Sequence, residues 1–337
     1  MTTSQETMSN TQEQSINFNN LPIDVLEIIY SKLSLCDTVN TNLSIHKNIK
    51  ICNITSIMDI NKLQCIPQCY HKYIIITDIV TQEIIDTLLS TTSVYGVYIS
   101  NSVSNIEPIK TIKILYCSFN TRLTNLNNMS MLTKLVCRYS TITDISQLVN
   151  LTFLDCEHSN IRDISKLVNL TWLRCSFSNI TDISKQTKLT DLNCSHSLIS
   201  NIDTLINLEI LICNNSSITK IGLLHKLKCL ICNDTNITDI SHLTSLVEII
   251  CNNTKIKDIN NLSKLIVAEI KGTEIKDISK LVNLKSLTSD DASLCYNSIS
   301  RLMENVHVVK DYKIKLPEHM DVYAKIYSLI NYGDIVN

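Results

Sequence analysis

Eight cysteines stand at nearly equal intervals along this chain: Cys117, Cys137, Cys156, Cys175, Cys194, Cys213, Cys232 and Cys251. The first interval is 20 residues and the other six are 19. A fixed short period constrains a fold more than composition does, because each unit must bury its apolar face against copies of itself. The aligned units read L-x-x-L-x-C-x-x-[ST]-x-I-x-D-I-x-x-L-x-N, as in Leu151 to Asn169, LTFLDCEHSNIRDISKLVN. The Cys column continues downstream as Ile270 and upstream as Ile99, so the period spans 94–290.

The segment L-x-x-L-x-C alternates in the sense of a strand, with Leu154 and Cys156 on one face and Asp155 on the other. Strands of successive units are expected to pair in parallel, stacking the apolar positions as columns inside a solenoid. A thiol behaves there as a small apolar side chain. A column of thiols running along an axis does not converge on one point, so it does not make a metal site. The hydroxyls of Ser140, Ser159, Ser178, Ser197, Ser216, Thr235, Thr254 and Thr273 fall where the chain leaves the strand, in position to bond backbone groups freed by the bend. Asp163 and Ser165, with their counterparts, are expected to cap a short turn. Nineteen residues leave no room for an α-helix in the return segment, so 3₁₀ turns or extended chain are expected.

This pattern resembles the leucine-rich repeat, with shorter units than usual, Cys at the third strand position and Ser or Thr in place of the usual Asn; Asn120 keeps the Asn. The resemblance implies an α/β leucine-rich-repeat solenoid: parallel strands on one face, a short return arc, and caps at both ends. It also implies a protein-binding role carried by the variable strand-face positions. In the N-terminal half these are Phe119, Arg138, Tyr139, Phe153, Asp155, His158, Trp172, Arg174, Phe177, Asp191 and His196, which include the single Trp and three of the four Phe. Aromatic residues with Arg are common anchors of protein interfaces. In the C-terminal half the face turns aliphatic and amide-rich, with Ile210, Ile212, Ile231 and Ile250 expected as an exposed row beside Asn214, Asn215, Asn233, Asn252 and Asn253.

Upstream, Leu21, Val25, Leu26, Ile29 and Leu33 recur at helical spacing after Pro22, a residue suited to a first helical turn. The stretch FNNLPIDVLEIIYSKLSLCD resembles the start of an F-box. That resemblance implies docking of Leu21, Pro22, Val25, Leu26, Ile29 and Leu33 on a Skp-type adaptor of a cullin ubiquitin ligase; the same stripe would otherwise serve to cap the first repeat. The chain thus divides into a polar tail expected to be disordered (1–17), an F-box-like helical module (18–55), an irregular linker or N-terminal cap (56–93), the repeats (94–290) and a helical C-terminal cap (291–337). Within the linker, YIIITDIV, TQEIIDTLLS and VYGVYIS read as strand, helix and strand.

Four glycines, Gly96, Gly222, Gly272 and Gly333, make no Gly-x-Gly turn, which argues against the phosphate-cradling loops of nucleotide enzymes. A formal net charge of -2 gives no drive toward nucleic acid or anionic membrane. The first 20 residues carry no apolar signal core, so the cysteines are expected as free thiols in a reducing cytoplasm, that of a host if the source is viral. The Ile-, Asn- and Lys-rich style resembles F-box and leucine-rich-repeat proteins of large DNA viruses or protists. Neither Cys229-x-x-Cys232, whose members fall on opposite strand faces, nor Cys65, Cys69 and His71 forms a full zinc ligand set. No cofactor, metal, nucleic-acid or membrane partner and no catalytic set is expected; His158 and His196 sit two units apart, about 9.6 Å by strand spacing. The expected function is that of a substrate receptor, or else of a repeat scaffold with no ligase link.

Overall fold

The computed structural model describes residues 49–54, 71–76, 87, 94–99, 101, 103–104, 106, 112–124, 126–291, 294 and 307–308. The F-box-like segment up to residue 48 and most of the expected C-terminal cap lie outside these residues. The described strands form one 14-stranded sheet in strict chain order. They are β1 (Ile49–Ile54), β2 (His71–Ile76), β3 (Gly96–Ile99), β4 (Ile114–Tyr116), β5 (Lys134–Val136), β6 (Phe153–Asp155) and β7 (Trp172–Arg174). There follow β8 (Asp191–Asn193), β9 (Ile210–Ile212), β10 (Cys229–Ile231), β11 (Glu248–Ile250), β12 (Val267–Glu269), β13 (Ser286–Thr288) and β14 (His307–Val308). The sheet therefore starts well upstream of residue 94 and reaches past residue 290.

Pairing is parallel from β2 to β14, and from β5 to β12 each strand residue faces the one 19 positions later, as in Leu154 against Leu173 and Leu230 against Ile249. Equal unit length and equal register are one fact. If a unit slipped by one residue, its Leu would turn to solvent and break every column. The eight periodic cysteines are fully buried, as are Ile99 and Ile270 at the two ends of their column. Burial lifts the thiols out of the reactive range, to about 12 for Cys194 and Cys251. The sulfurs of Cys117, Cys156 and Cys175 lean on the carbonyls of Val136, Arg174 and Asn193 in the next strand, at 3.6, 3.4 and 3.6 Å.

Hydroxyls hold the bend in two chemical styles, though not after every strand, since the buried hydroxyls of Ser140 and Ser159 have no hydrogen-bond partner. Thr235, Thr254 and Thr273 donate to the carbonyls of Cys232, Cys251 and Ile270 at 2.7–2.8 Å. Ser178, Ser197 and Ser216 instead accept from the N–H two residues on, at 3.4 Å. Asn120 does more than either, donating to Val103 O and accepting from the N–H groups of Arg122 and Leu123. Several return segments are closed by an Asp carboxylate, which accepts from the N–H two residues later: Asp144 from Ser146, Asp163 from Ser165, Asp182 from Ser184, Asp239 from Ser241 and Asp277 from Ser279. That backbone bond holds each carboxyl below the usual range. The remainder of the segment is two successive turns, such as Leu148 N–H to Ile145 O and Leu151 N–H to Leu148 O, both 3.0 Å. No α-helix interrupts residues 126–291.

One position breaks the apolar pattern from inside. Gln186 stands in the column of Leu148, Leu167 and Leu205 and is fully buried. Its Nε2 donates to Ile164 O at 2.8 Å, while its Oε1 has no hydrogen-bond partner.

Candidate repeat-face interface

Two residues after each core cysteine the backbone must reverse out of the strand, and it does so through a left-handed residue. That column reads Phe119, Tyr139, His158, Phe177, His196, Asn215, Asp234, Asn253 and Gly272, with φ between 52° and 64° throughout. The N–H of Phe119 bonds Arg138 O at 2.7 Å, that of Tyr139 bonds Glu157 O at 3.0 Å, and the series continues to Asn253 N–H on Lys271 O at 2.7 Å. Each turn is thus locked onto the next. Gly, Asn and Asp adopt this conformation readily and His does so with some enrichment, whereas bulky Phe and Tyr do so rarely. Gly272 suits it twice over, since an added Cβ would lie 2.4 Å from Asn253 Oδ1.

The five ring-bearing members of the column form one continuous stack. Centroid separations are 4.9 Å for Phe119–Tyr139, 4.3 Å for Tyr139–His158, 4.3 Å for His158–Phe177 and 4.2 Å for Phe177–His196, with planes within 12°. Phe119, Tyr139 and Phe177 are about half exposed, at 56, 46 and 49%. His158 is held below its ordinary pKa by partial burial and then by His196. The expectation that these five residues sit on the strand face is corrected: they occupy the turn that borders it. His158 and His196 are also not separated by empty space, since Phe177 is sandwiched between them.

On the strand face itself, Phe153 and Trp172 stack at 3.8 Å. Lys134 Nζ lies 4.3 Å from the Phe153 ring centre, and the Arg174 guanidinium lies 4.6 Å from that of Trp172. Cations over ring faces favour the flat, fixed placement of both partners. Arg138 donates through Nε and Nη2 to one oxygen of Asp155, at 2.8 and 2.6 Å, and reaches Glu157 at 3.6 Å. Asp155 is buried, and its second oxygen has no hydrogen-bond partner, so it serves the face as a support for Arg138 rather than as a contact residue. Burial, followed by the nearby Asp155 charge, raises the Glu157 carboxyl. Asp191 is half-buried at the margin of this group, and its neighbour Asn193 receives the hydroxyls of Ser176 and Ser195, both at 2.9 Å.

The C-terminal half differs from expectation in exposure. Ile212 and Ile231 are buried, flanked in register by Asn193 and Ile250, and Ile210 and Ile250 are half-buried. They form a floor and not an exposed row. Beside them runs an amide ladder: Asn214 Oδ1 accepts from Asn233 N–H, Asn233 Oδ1 from Asn252 N–H and Asn252 Oδ1 from Lys271 N–H, each at 2.8 Å. Cys229 is half-buried on this face and its thiol lies 3.7 Å from Glu248, while Cys232 is in the core, so the two do not converge. Among the described residues no three His, Cys, Asp or Glu side chains are grouped to hold a metal ion.

No family model matches the sequence, and no curated protein does. Solved structures do. An internalin (inlF) from Listeria monocytogenes is 23% identical over 71% of this chain and 78% of its own, with a TM-score of 0.56. A leucine-rich-repeat protein of Leptospira interrogans is 15% identical over 72% of this chain and 65% of its own, with a TM-score of 0.51. The fold is that of the leucine-rich-repeat proteins. A functional domain of InlJ from Listeria monocytogenes, which includes a cysteine ladder, is 23% identical over 62% of this chain and 55% of its own, with a TM-score of 0.49.

Proposed function

We propose that this protein is a non-catalytic binding scaffold whose repeat face holds another polypeptide, gripped chiefly by the N-terminal half. The observation that carries this reading is the ring column. A left-handed turn would be cheaper with Asn, Asp or Gly, as the same column shows further along the chain. Holding Phe119, Tyr139 and Phe177 there costs about 1–2 kcal/mol each in backbone terms, offset in part by about 0.5–1.5 kcal/mol per stacked pair. Strain kept at an exposed, ring-rich surface is characteristic of sites where the surface has a use. Phe153, Trp172, Arg138 and Arg174 extend the same face with rigid, amphipathic side chains.

The finer form of this reading makes the protein a substrate receptor of a cullin-type ubiquitin ligase, acting in the cytoplasm of its cell or of a host. Its support is the F-box-like match at Leu21, Pro22, Val25, Leu26, Ile29 and Leu33, together with the free thiols of Cys229 and the eight periodic cysteines. A purified Skp-type adaptor is expected to bind the full chain and to lose the Pro22→Ala/Leu26→Ala variant. Failure of the unaltered chain to bind would leave the scaffold reading alone. For the scaffold itself, a photo-crosslinking amino acid at position 177 in the native cell identifies the neighbouring polypeptide. The affinity of that polypeptide for the purified chain should fall at least about 30-fold, the scale of an interface hot spot, in Phe119→Ala/Tyr139→Ala/Phe177→Ala. An unchanged affinity would overturn the assignment of this face.

A further inference from the structure

The two halves of the repeat face differ in charge as well as in rings. From β4 to β8 the outward positions carry Lys134, Arg138 and Arg174 against Asp155, Glu157 and Asp191, a balanced set. From β9 to β13 they carry Glu248, Glu269 and Asp290 against Lys271, with Asp234 on the bordering turn; Lys228, just before β10, is taken up by Glu209 at 2.6 Å. Asp155 is met by Arg138 at 2.6 Å, whereas no cation lies within 4.0 Å of Glu248 or Glu269 among the described residues. Glu248 is instead approached by the Cys229 thiol at 3.7 Å, and Glu269 by the Asn252 amide at 3.4 Å. Both stand on the aliphatic floor of Ile210, Ile212, Ile231, Ile250 and Val267, where partial burial of Glu248, followed by the charge of Glu269, raises its carboxyl. A carboxylate drawn partly out of water without a cation is held at a cost that an arriving ammonium or guanidinium relieves.

We infer that the C-terminal half of the repeat face, centred on Glu248 and Glu269, is a second docking surface for an extended polypeptide segment that carries Lys or Arg at alternate positions. The inference rests on the reading of the repeat face as a protein-binding surface. Glu248 lies in register with Val267, two positions before Glu269 in the adjacent strand, which places the two acids about 8 Å apart from strand spacing and rise. In an extended segment, side chains on one face recur about every 6.6–7 Å, so two successive cations on that face reach both carboxylates. The methylene stems of those two cations lie along the floor and the Cys229 side chain, and the residue between them faces away. Charge complementarity of this kind sets specificity and association rate.

The test uses the full chain and a fluorescent probe peptide, acetyl-Leu-Lys-Leu-Arg-Leu-amide, with its Gln-for-Lys and Gln-for-Arg analogue and spermine as comparison probes. The basic peptide should bind at least about tenfold more tightly than its Gln analogue, and Glu248→Gln/Glu269→Gln should abolish that difference while the circular-dichroism melt is retained. The preference should also weaken on acidification, beginning above the ordinary carboxylate range because burial and the Glu269 charge raise the Glu248 carboxyl, with Cys229 and Lys271 the other groups beside it. Equal binding of the basic and Gln peptides, survival of the preference in the double variant, or spermine binding as tightly as the peptide would each overturn the inference. The ring variant Phe119→Ala/Tyr139→Ala/Phe177→Ala serves as a separate arm. If it loses the crosslinked partner while the probe shows no preference, only the second surface falls, and the scaffold reading stands.

Discussion

The same backbone position is built in two ways within one chain. In the first half the left-handed turn carries Phe119, Tyr139, His158, Phe177 and His196; in the second it carries Asn215, Asp234, Asn253 and Gly272. The backbone bonds and angles are equivalent, so the turn itself needs no ring. The second half shows what the turn requires by itself, namely a residue that tolerates positive φ and an amide or carboxylate to stitch it to its neighbour, as Asn253 does with Asp234 at 2.9 Å. The first half shows what is added, a column of half-exposed rings. The core beneath does not change, because the Leu and Cys columns run through both halves with the same burial. The core is therefore distributed evenly and the exposed ring surface unevenly.

The largest expected effect tests the even part. Leu173→Ala and Leu230→Ala each remove a fully buried side chain from equivalent positions, and each should lower unfolding free energy by about 2–5 kcal/mol, read by denaturant titration. A loss confined to one half would show that the two halves do not share one core. Next, Asn215→Phe should destabilise by about 1–2 kcal/mol, whereas Phe177→Asn should change stability by less than about 1 kcal/mol, since relief of backbone strain and loss of two stacking contacts nearly cancel. Phe177→Asn should nevertheless weaken partner binding. A strong destabilisation by Phe177→Asn would make the ring column a structural device and not an interface.

Smaller still is Gln186→Leu, which restores the Leu column and removes a buried, unbonded Oε1. It should stabilise by about 1 kcal/mol, with Ile164 O still receiving the Leu167 N–H. The smallest effect is set by pH. The depressed carboxyls of Asp144, Asp163, Asp182, Asp239 and Asp277 contribute stability that is present above the unfolded-state value and is lost as pH falls through the lower folded-state values. The melting temperature should therefore drop between about pH 4 and pH 2, with a shallower drop in Asp163→Ala/Asp239→Ala, one change from each half.

Much of this was legible before any coordinates. The interval between cysteines gives the unit, the alternation of Leu154, Asp155 and Cys156 gives the facing, and Asp163 with Ser165 gives the closing turn. What periodicity does not carry is backbone handedness. Phe and Tyr at a given column look like strand residues, so Phe119, Tyr139 and Phe177 read as part of the strand face. The signal that they are not was further along the same column, where Asn215, Asp234, Asn253 and Gly272 are the residue types that accept positive φ. Exposure also escaped the pattern. Ile231 and Asp155 occupy outward positions yet are buried, because in a sheet this regular a side chain is covered by its own column neighbours 4.8 Å away on either side. Gln186 was hidden for the opposite reason, since a polar residue in an apolar column reads as a gap in the repeat and not as a buried amide.

The most direct test of the account is site-resolved thiol labelling of the native chain with iodoacetamide, followed by mass spectrometry. Cys117, Cys137, Cys156, Cys175, Cys194, Cys213, Cys232 and Cys251 should stay unmodified until denaturant unfolds the solenoid and should then react together, while half-buried Cys229 responds before them. Rapid labelling of the periodic cysteines in native buffer, or labelling that differs widely from one to the next, would contradict a shared inner wall and with it the placement of the rings on the opposite side.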